Sequence, residues 1–167
     1  MHEFENLVFE STQFTLSSLD KVNDNALRAL ELSGATRPVI ALKMIGLQKA
    51  IFATGMFSLF EASLQDALRC RDGFEGAKRI LKNKKLFELH ERFNTYILGI
   101  NVLKHGKGTS YKKLLEYDAL PFNMKKEGQI FFNEGDVSEI PTLILVDDQF
   151  VLDCAELIEK VSEIVKV

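Results

Sequence analysis

Asn101 and His105 stand four residues apart, and Lys104, Gly106, Lys107, Gly108, Ser110, Tyr111, Lys112 and Lys113 crowd the same stretch. At helical spacing, fourth neighbours share a face, so an amide and an imidazole there can grip one bound group or each other. The pair suits proton transfer by His105, with Asn101 orienting a phosphate or hydroxyl. Gly106-Lys107-Gly108 follows as a loop whose backbone can approach a ligand, and a helix starting near Thr109 would offer N–H groups at its positive end. Lys112 and Lys113 fall in the first turn of that helix, where the dipole disfavours cations, which points to an anion nearby. Lys104, His105, Lys107, Ser110 and Lys112, extended by Tyr111 and Lys113, therefore fit a phosphate, most readily one of a nucleic-acid backbone. The same residues also have a structural account. Gly106 can be a helix C-cap, Lys104 and His105 favourable charges in a last turn, and Asn101 a satisfied amide. Spacing alone leaves both accounts open.

Other chemistries fail on context. His105 to Ser110 resembles part of a P-loop, but no Gly stands five residues before Gly106 and a helix rather than a strand precedes it. There is no H-E-x-x-H, G-x-S-x-G or paired-carboxylate motif. His2, His90 and His105 are dispersed, and Cys70 and Cys154 have no zinc or redox spacing, so neither a metal nor a cofactor is expected. Both cysteines read as reduced core residues.

The elements that must position Asn101 and His105 are helical. Leu86, Leu89, Phe93, Ile97 and Ile100 mark one narrow core stripe. Asn94, Asn101 and His105 fall at about +60°, +40° and +80° from Ile97 on a helical wheel, so three polar groups edge the buried face together. Upstream, Phe14, Leu16, Leu19, Val22, Ala26, Leu27 and Leu30 define a first helix, with Gly34 as its stop and Phe4, Leu7 and Val8 either extending it or forming a separate turn. Thr36-Arg37-Pro38 starts a second helix, with Pro at its first position, that runs on through Leu68 for roughly 32 residues. It is apolar almost all round between Ala50 and Phe60, which implies a central helix or one that also packs on a partner subunit. Phe52, Phe57 and Phe60 read as core. Short helices are expected from Phe74 to Leu81 and from Ser110 or Tyr111 to Tyr117, the latter capped by Thr109 or Ser110. Gln129 to Phe132 and Thr142 to Val146 are β-prone runs around turn residues, and a final helix capped by Asp147 or Asp148 carries a clean apolar stripe.

The expected architecture is one mainly α domain over residues 1–167. A helical bundle around one long helix fills 1–120, and a small β-ribbon plus a C-terminal packing helix fill 121–167. The acidic N-terminus lacks the form of a signal peptide, and the apolar run between Lys49 and Glu61 is short for a membrane span, so a cytoplasmic chain with no membrane partner is expected. The net charge of -3 conceals a division: residues 78–113 hold ten basic and two acidic side chains, and residues 114–167 hold four and twelve. A basic centre can attract phosphates, or it can pair with the acidic tail inside the fold or across a dimer.

Ile100-Asn101-Val102-Leu103-Lys104-His105, on the helix of a predicted bundle, resembles the motif of the HEPN superfamily of all-α nucleotide-binding and ribonuclease domains. Its members carry Arg, a polar residue that is often Asn, three variable residues and then His. The resemblance covers about two-thirds of the chain. It implies a homodimer that cleaves RNA without metal, with His105 in the acid/base role and Asn101 positioning the substrate. Ile100 stands where the Arg would be, and Arg92 falls near -140° on the wheel, away from His105. Lys104 or Lys107 would have to supply positive charge, and lysine lacks the bidentate fork of arginine. The expected function is therefore RNA or nucleotide-phosphate binding with weak or lost ribonuclease activity. The alternative is a non-catalytic homodimeric interaction or regulatory protein of a stress or defence system, with the long helix as its dimer surface.

Overall fold

Glycine and proline punctuation divides the chain into helices whose apolar faces meet in one aromatic core. The computed structural model describes residues 4–32, 36–126, 128–129 and 140–165. In order, α1 spans Phe4–Leu32, α2 Thr36–Leu68, α3 Gly73–Asn83, α4 Phe87–His105, α5 Thr109–Leu115 and α6 Asp148–Val165. The mainly α bundle expected from the periodicity is the observed fold.

Leu7 and Val8 belong to α1, which runs back to Phe4 rather than beginning with a separate turn. Gly34 lies outside the described residues. Pro38 occupies the third position of α2 instead of the first. It is still within the opening turn, where the missing N–H breaks no intrahelical bond. α2 has 33 residues, is about 50 Å long at the α-helical rise, and packs against α1, α3, α4 and α6. Arg69, at φ 49°, ends it in the left-handed region. Asp72 then caps α3 by accepting from the Glu75 N–H at 2.8 Å. Gly73 follows because a Cβ there would lie 2.5 Å from the Glu61 carbonyl oxygen, so only glycine lets α3 press this closely on α2.

Phe57, Phe60, Phe74 and Phe93 form the centre of the core, with ring centroids 5.6 to 6.5 Å apart. Those spacings fall in the range where edge-to-face and offset pairs attract beyond simple area burial. α6 closes the bundle by burying Phe150, Cys154, Leu157, Ile158 and Val161. Its start is fixed by Asp147, whose carboxylate accepts from the Phe150 N–H at 2.8 Å. Cys154 is buried, Cys70 is half-buried, and both are free thiols.

Two expectations need correction. The expected β-ribbon is not supported: no strand occurs among the described residues. Ile144 makes an isolated antiparallel bridge with Met124, framed by Lys125 N–H to Leu143 O at 2.7 Å and Leu145 N–H to Asn123 O at 2.9 Å. The run meant as its partner, 130–132, lies outside the described residues. Ile144 and Val146 are buried with Leu145 less so between them, so one face packs on the bundle, and this alone accounts for the strand-like alternation. The second correction concerns α4. Instead of a narrow buried stripe, every residue from Thr95 to Ile100 is buried. Phe122 covers the side away from the core, and a Cβ on Gly99 would lie 2.9 Å from its ring. Tyr96 packs between Phe122 and Phe150 at 5.2 and 5.3 Å.

The α1–α2 hairpin outruns the bundle. The main core reaches Leu16 on α1 and Ala50 on α2. Farther out, Ala26, Pro38 and Ile45 are the described residues that α1 and α2 bury. By length and composition α2 could cross a membrane, with a mean hydropathy of 1.4 over its most apolar stretch.

Candidate functional site

The enclosed middle of α4 fixes the direction in which its last turn points. Ile100 is 3% exposed and faces the core, so its successor Asn101 is turned towards the boundary and His105, one turn on, is exposed. The Gly106 N–H bonds the Val102 carbonyl at 2.8 Å, closing the helix. Gly106 has φ +68°, a backbone state costly for other residues, and it turns the chain back so that α5 begins beside the end of α4. Asn101, His105, Gly106, Gly108, Thr109 and Ser110 line an open depression of about 440 Å³. The residues predicted from spacing as a chemical pair, Asn101 and His105, do converge, and Ser110 joins them from the next helix.

The other expected ligands are placed differently. Lys104, Lys107, Lys112 and Lys113 are exposed and do not line the depression. Tyr111 is buried, and its hydroxyl donates to the Lys125 carbonyl at 3.0 Å, which ties residues 123–125 to the bundle. α5 begins after Gly108 with no side-chain cap, so neither Thr109 nor Ser110 serves as one. At seven residues it is also too short to exert a full helix dipole. Positive charge at this end of the molecule therefore comes from the lysines. Asn94 lies two turns back and is occupied elsewhere: it accepts from Lys78 Nζ at 3.2 Å and donates to the Tyr117 hydroxyl at 3.5 Å. Tyr117 in turn donates to Glu91 at 2.6 Å. That bond, with burial, raises the Tyr117 pKa.

Asn101, His105 and Ser110 make no side-chain hydrogen bond among the described residues. Asn101 and Ser110 are half-buried and His105 exposed where they line one concavity. A second polar cluster, which spacing did not reveal, behaves in the opposite way. Arg92 bonds Asp153 at 3.1 Å and Glu156 at 2.8 Å. The buried Tyr96 hydroxyl donates to Asp153 Oδ2 at 2.5 Å, and Gln149 donates to Asp153 Oδ1 at 2.9 Å. Burial, and then the Asp153 carboxylate, push the Tyr96 hydroxyl far above the ordinary tyrosine range. Hydrogen bonds from Lys160 and then Arg92 hold Glu156 below the usual carboxylate value. Burial alone would lower the Arg92 pKa, but Glu156 and Asp153 outweigh it and the net shift is upward. This cluster latches α4 to α6. It shows that one member of the basic block pairs with the acidic tail inside the fold, as one of the two charge readings anticipated. The signal was Arg92 on the wheel, displaced from His105 and so available to another helix.

No described cluster of three or more His, Cys, Asp or Glu side chains can hold a metal ion. No family model, curated protein or solved structure matches the chain.

Proposed function

We propose that this chain binds RNA or nucleotide phosphate in the depression formed by Asn101, His105 and Ser110, as a HEPN-like protein with weak or absent metal-independent ribonuclease activity. The observation that carries the reading is that three side chains of complementary chemistry converge there with their polar atoms uncommitted. Uncommitted polar groups in a concavity are what ligand sites offer and structural clusters avoid. In this reading the Asn101 amide and Ser110 hydroxyl donate to non-bridging phosphate oxygens. Gly106 and Gly108 let the ligand approach the backbone, and Lys104, Lys107, Lys112 and Lys113 hold the flanking phosphates.

For cleavage, His105 would take the proton of a 2′-hydroxyl as its oxygen attacks the adjacent phosphorus. The bond to the 5′-oxygen breaks, and that oxygen leaves with a proton, giving a 2′,3′-cyclic phosphate and a 5′-hydroxyl end. Stabilising the crowded phosphorane is a task for a bidentate cation. Ile100, at 3% exposure in the core, supplies none. Binding therefore outlasts turnover in this reading.

The test is the affinity for a labelled single-stranded RNA against salt. Several phosphate contacts give a steep loss, with a logarithmic slope of about -0.7 per contact. Replacing Lys104, Lys107, Lys112 and Lys113 together by Ala should flatten the slope by up to about 3. A salt-independent affinity, or a slope untouched by the four substitutions, sinks the reading. With chelator present, any cleavage should vanish in His105→Ala.

A further inference from the structure

The outer half of α2 carries an exposed apolar line between two basic side chains, and we propose that it docks this chain on an anionic lipid surface. Ile40, Met44, Leu47 and Ile51 are 49 to 55% exposed. They fall within about 60° of one another on the helical wheel, and the line runs for about 16 Å along the helix. Arg37 and Lys43, both exposed, flank it at about +60° and -60° from Ile40. Pro38 and Ile45, the buried positions of this half, lie about 140–160° from Ile40. The line therefore faces away from the side on which α2 packs. Only 22% of the most apolar 18-residue stretch of α2 is buried, so the fold itself leaves most of that stretch unenclosed.

Charge selects the occupant. From Thr36 to Phe60, α2 has three basic side chains and no acidic one. Lys49 sits on the opposite face and is paired with Asp148 at 2.6 Å, which leaves Arg37 and Lys43 beside the apolar line. Interfacial helices bind anionic membranes by this combination. Aliphatic side chains enter the boundary between headgroups and acyl chains, and flanking cations meet the lipid phosphates and carboxylates. A second copy of this chain offers no such counter-charge. In an antiparallel pair that matches Ile40 with Ile51, Arg37 meets Thr54 and Lys43 meets Gln48, and a parallel pair sets like charges side by side. α1 does not obstruct the approach. Its outer charges, Asp20, Lys21, Asp24, Arg28 and Glu31, lie about 120–160° from the buried Ala26 on the wheel, on the side of α1 away from its packed face. This half of the hairpin also extends past the main core, so it can reach a surface that the bundle does not touch. The short apolar run argues against a membrane span, but a peripheral contact needs a face and no such length.

The proposal is independent of phosphate binding in the depression between α4 and α5, and vesicle flotation of the full chain tests it. Vesicles of phosphatidylcholine with about one-third phosphatidylserine should carry the chain, less so as salt rises, and pure phosphatidylcholine should bind it at least about 10-fold more weakly. Arg37→Gln/Lys43→Gln should weaken partitioning into the mixed vesicles about 10- to 30-fold, and Met44→Gln/Leu47→Gln about 10-fold or more. All four positions are exposed, so helicity and melting temperature should stay those of wild type. Arg79→Gln/Lys82→Gln removes the same charges from exposed positions on α3 and should bind like wild type. Absence of binding to the mixed vesicles overturns the proposal, as do equal binding to neutral and anionic vesicles, undiminished binding by Met44→Gln/Leu47→Gln, and a loss in the α3 variant as large as in Arg37→Gln/Lys43→Gln. A chain that ignores vesicles and forms a dimer that Met44→Gln/Leu47→Gln breaks also overturns it and assigns the face to a second copy.

Discussion

The two polar clusters of α4, centred on Tyr96 and His105 roughly two to three turns apart, end in opposite states. Around Tyr96, the side chains of Arg92, Asp153, Glu156 and Gln149 satisfy one another across α4 and α6. Around His105, the side chains of Asn101 and Ser110 share a depression and bond to nothing in the described chain. The difference is one of cover. The middle of α4 has Phe122, Phe150 and α6 over it, so any polar group there must find a protein partner or lose its hydration without compensation. The last turn has solvent over it, and its polar groups need no partner to be tolerated. Polar chemistry on a buried stretch is therefore structural by necessity, while on an open stretch it is available for a ligand.

The contrast can be broken by substitution. Asp153→Ala should cost the most, about 1–3 kcal/mol, because it strands the buried Tyr96 hydroxyl and half of the Arg92 fork. Chemical denaturation measures it, and an unchanged midpoint would show that the latch holds nothing. A smaller effect is expected from acid. Glu156 is held below its ordinary pKa by Lys160 and Arg92, so its contribution is present above the unfolded carboxylate value near about 4.3 and is lost as pH falls through the lower folded value. Glu156→Gln should accordingly be slightly less stable than wild type at neutral pH, with the two melting temperatures converging as pH drops below about 4. Asn101→Ala and His105→Ala should shift stability by no more than about 0.5 kcal/mol while weakening RNA affinity. If His105→Ala were as destabilising as Asp153→Ala, the two clusters would be of one kind and the site reading would lose its support.

The sequence made the framework readable where one physical pattern dominated. α2 followed from an apolar pattern interrupted only by Gly46 and Gly55, α6 from a clean stripe behind an Asp cap, and the meeting of Asn101 with His105 from helical spacing. Ser110 was expected at the site because two glycines turn the chain directly after α4. What could not be read was cover supplied by segments distant in sequence. The wheel put Asn94 on the same edge as Asn101, but α3 and the end of α5 bring Lys78 and Tyr117 to it. Tyr111 was expected to join the lysines in holding a phosphate, yet it is buried and its hydroxyl donates to the part-buried Lys125 carbonyl. The run from Thr142 to Val146 alternates like a strand because one of its faces is buried, and alternation carries no information about whether a second strand lies alongside.

The placement of Ile100 has a consequence for how this sequence can change over generations. If the proposed HEPN-like reading holds, the motif lacks its arginine, which invites the idea that one substitution would restore it. At 3% exposure on the core side of α4, a guanidinium would be a buried charge in the core, and the loss of fold would outweigh any gain in phosphate contact. In the proposed reading a bidentate cation is more accessible at the exposed positions 104 and 107, where lysine to arginine changes leave the core untouched. Selection acting on this chain can thus tune the rim of the depression freely, while the helix position behind it is fixed by packing.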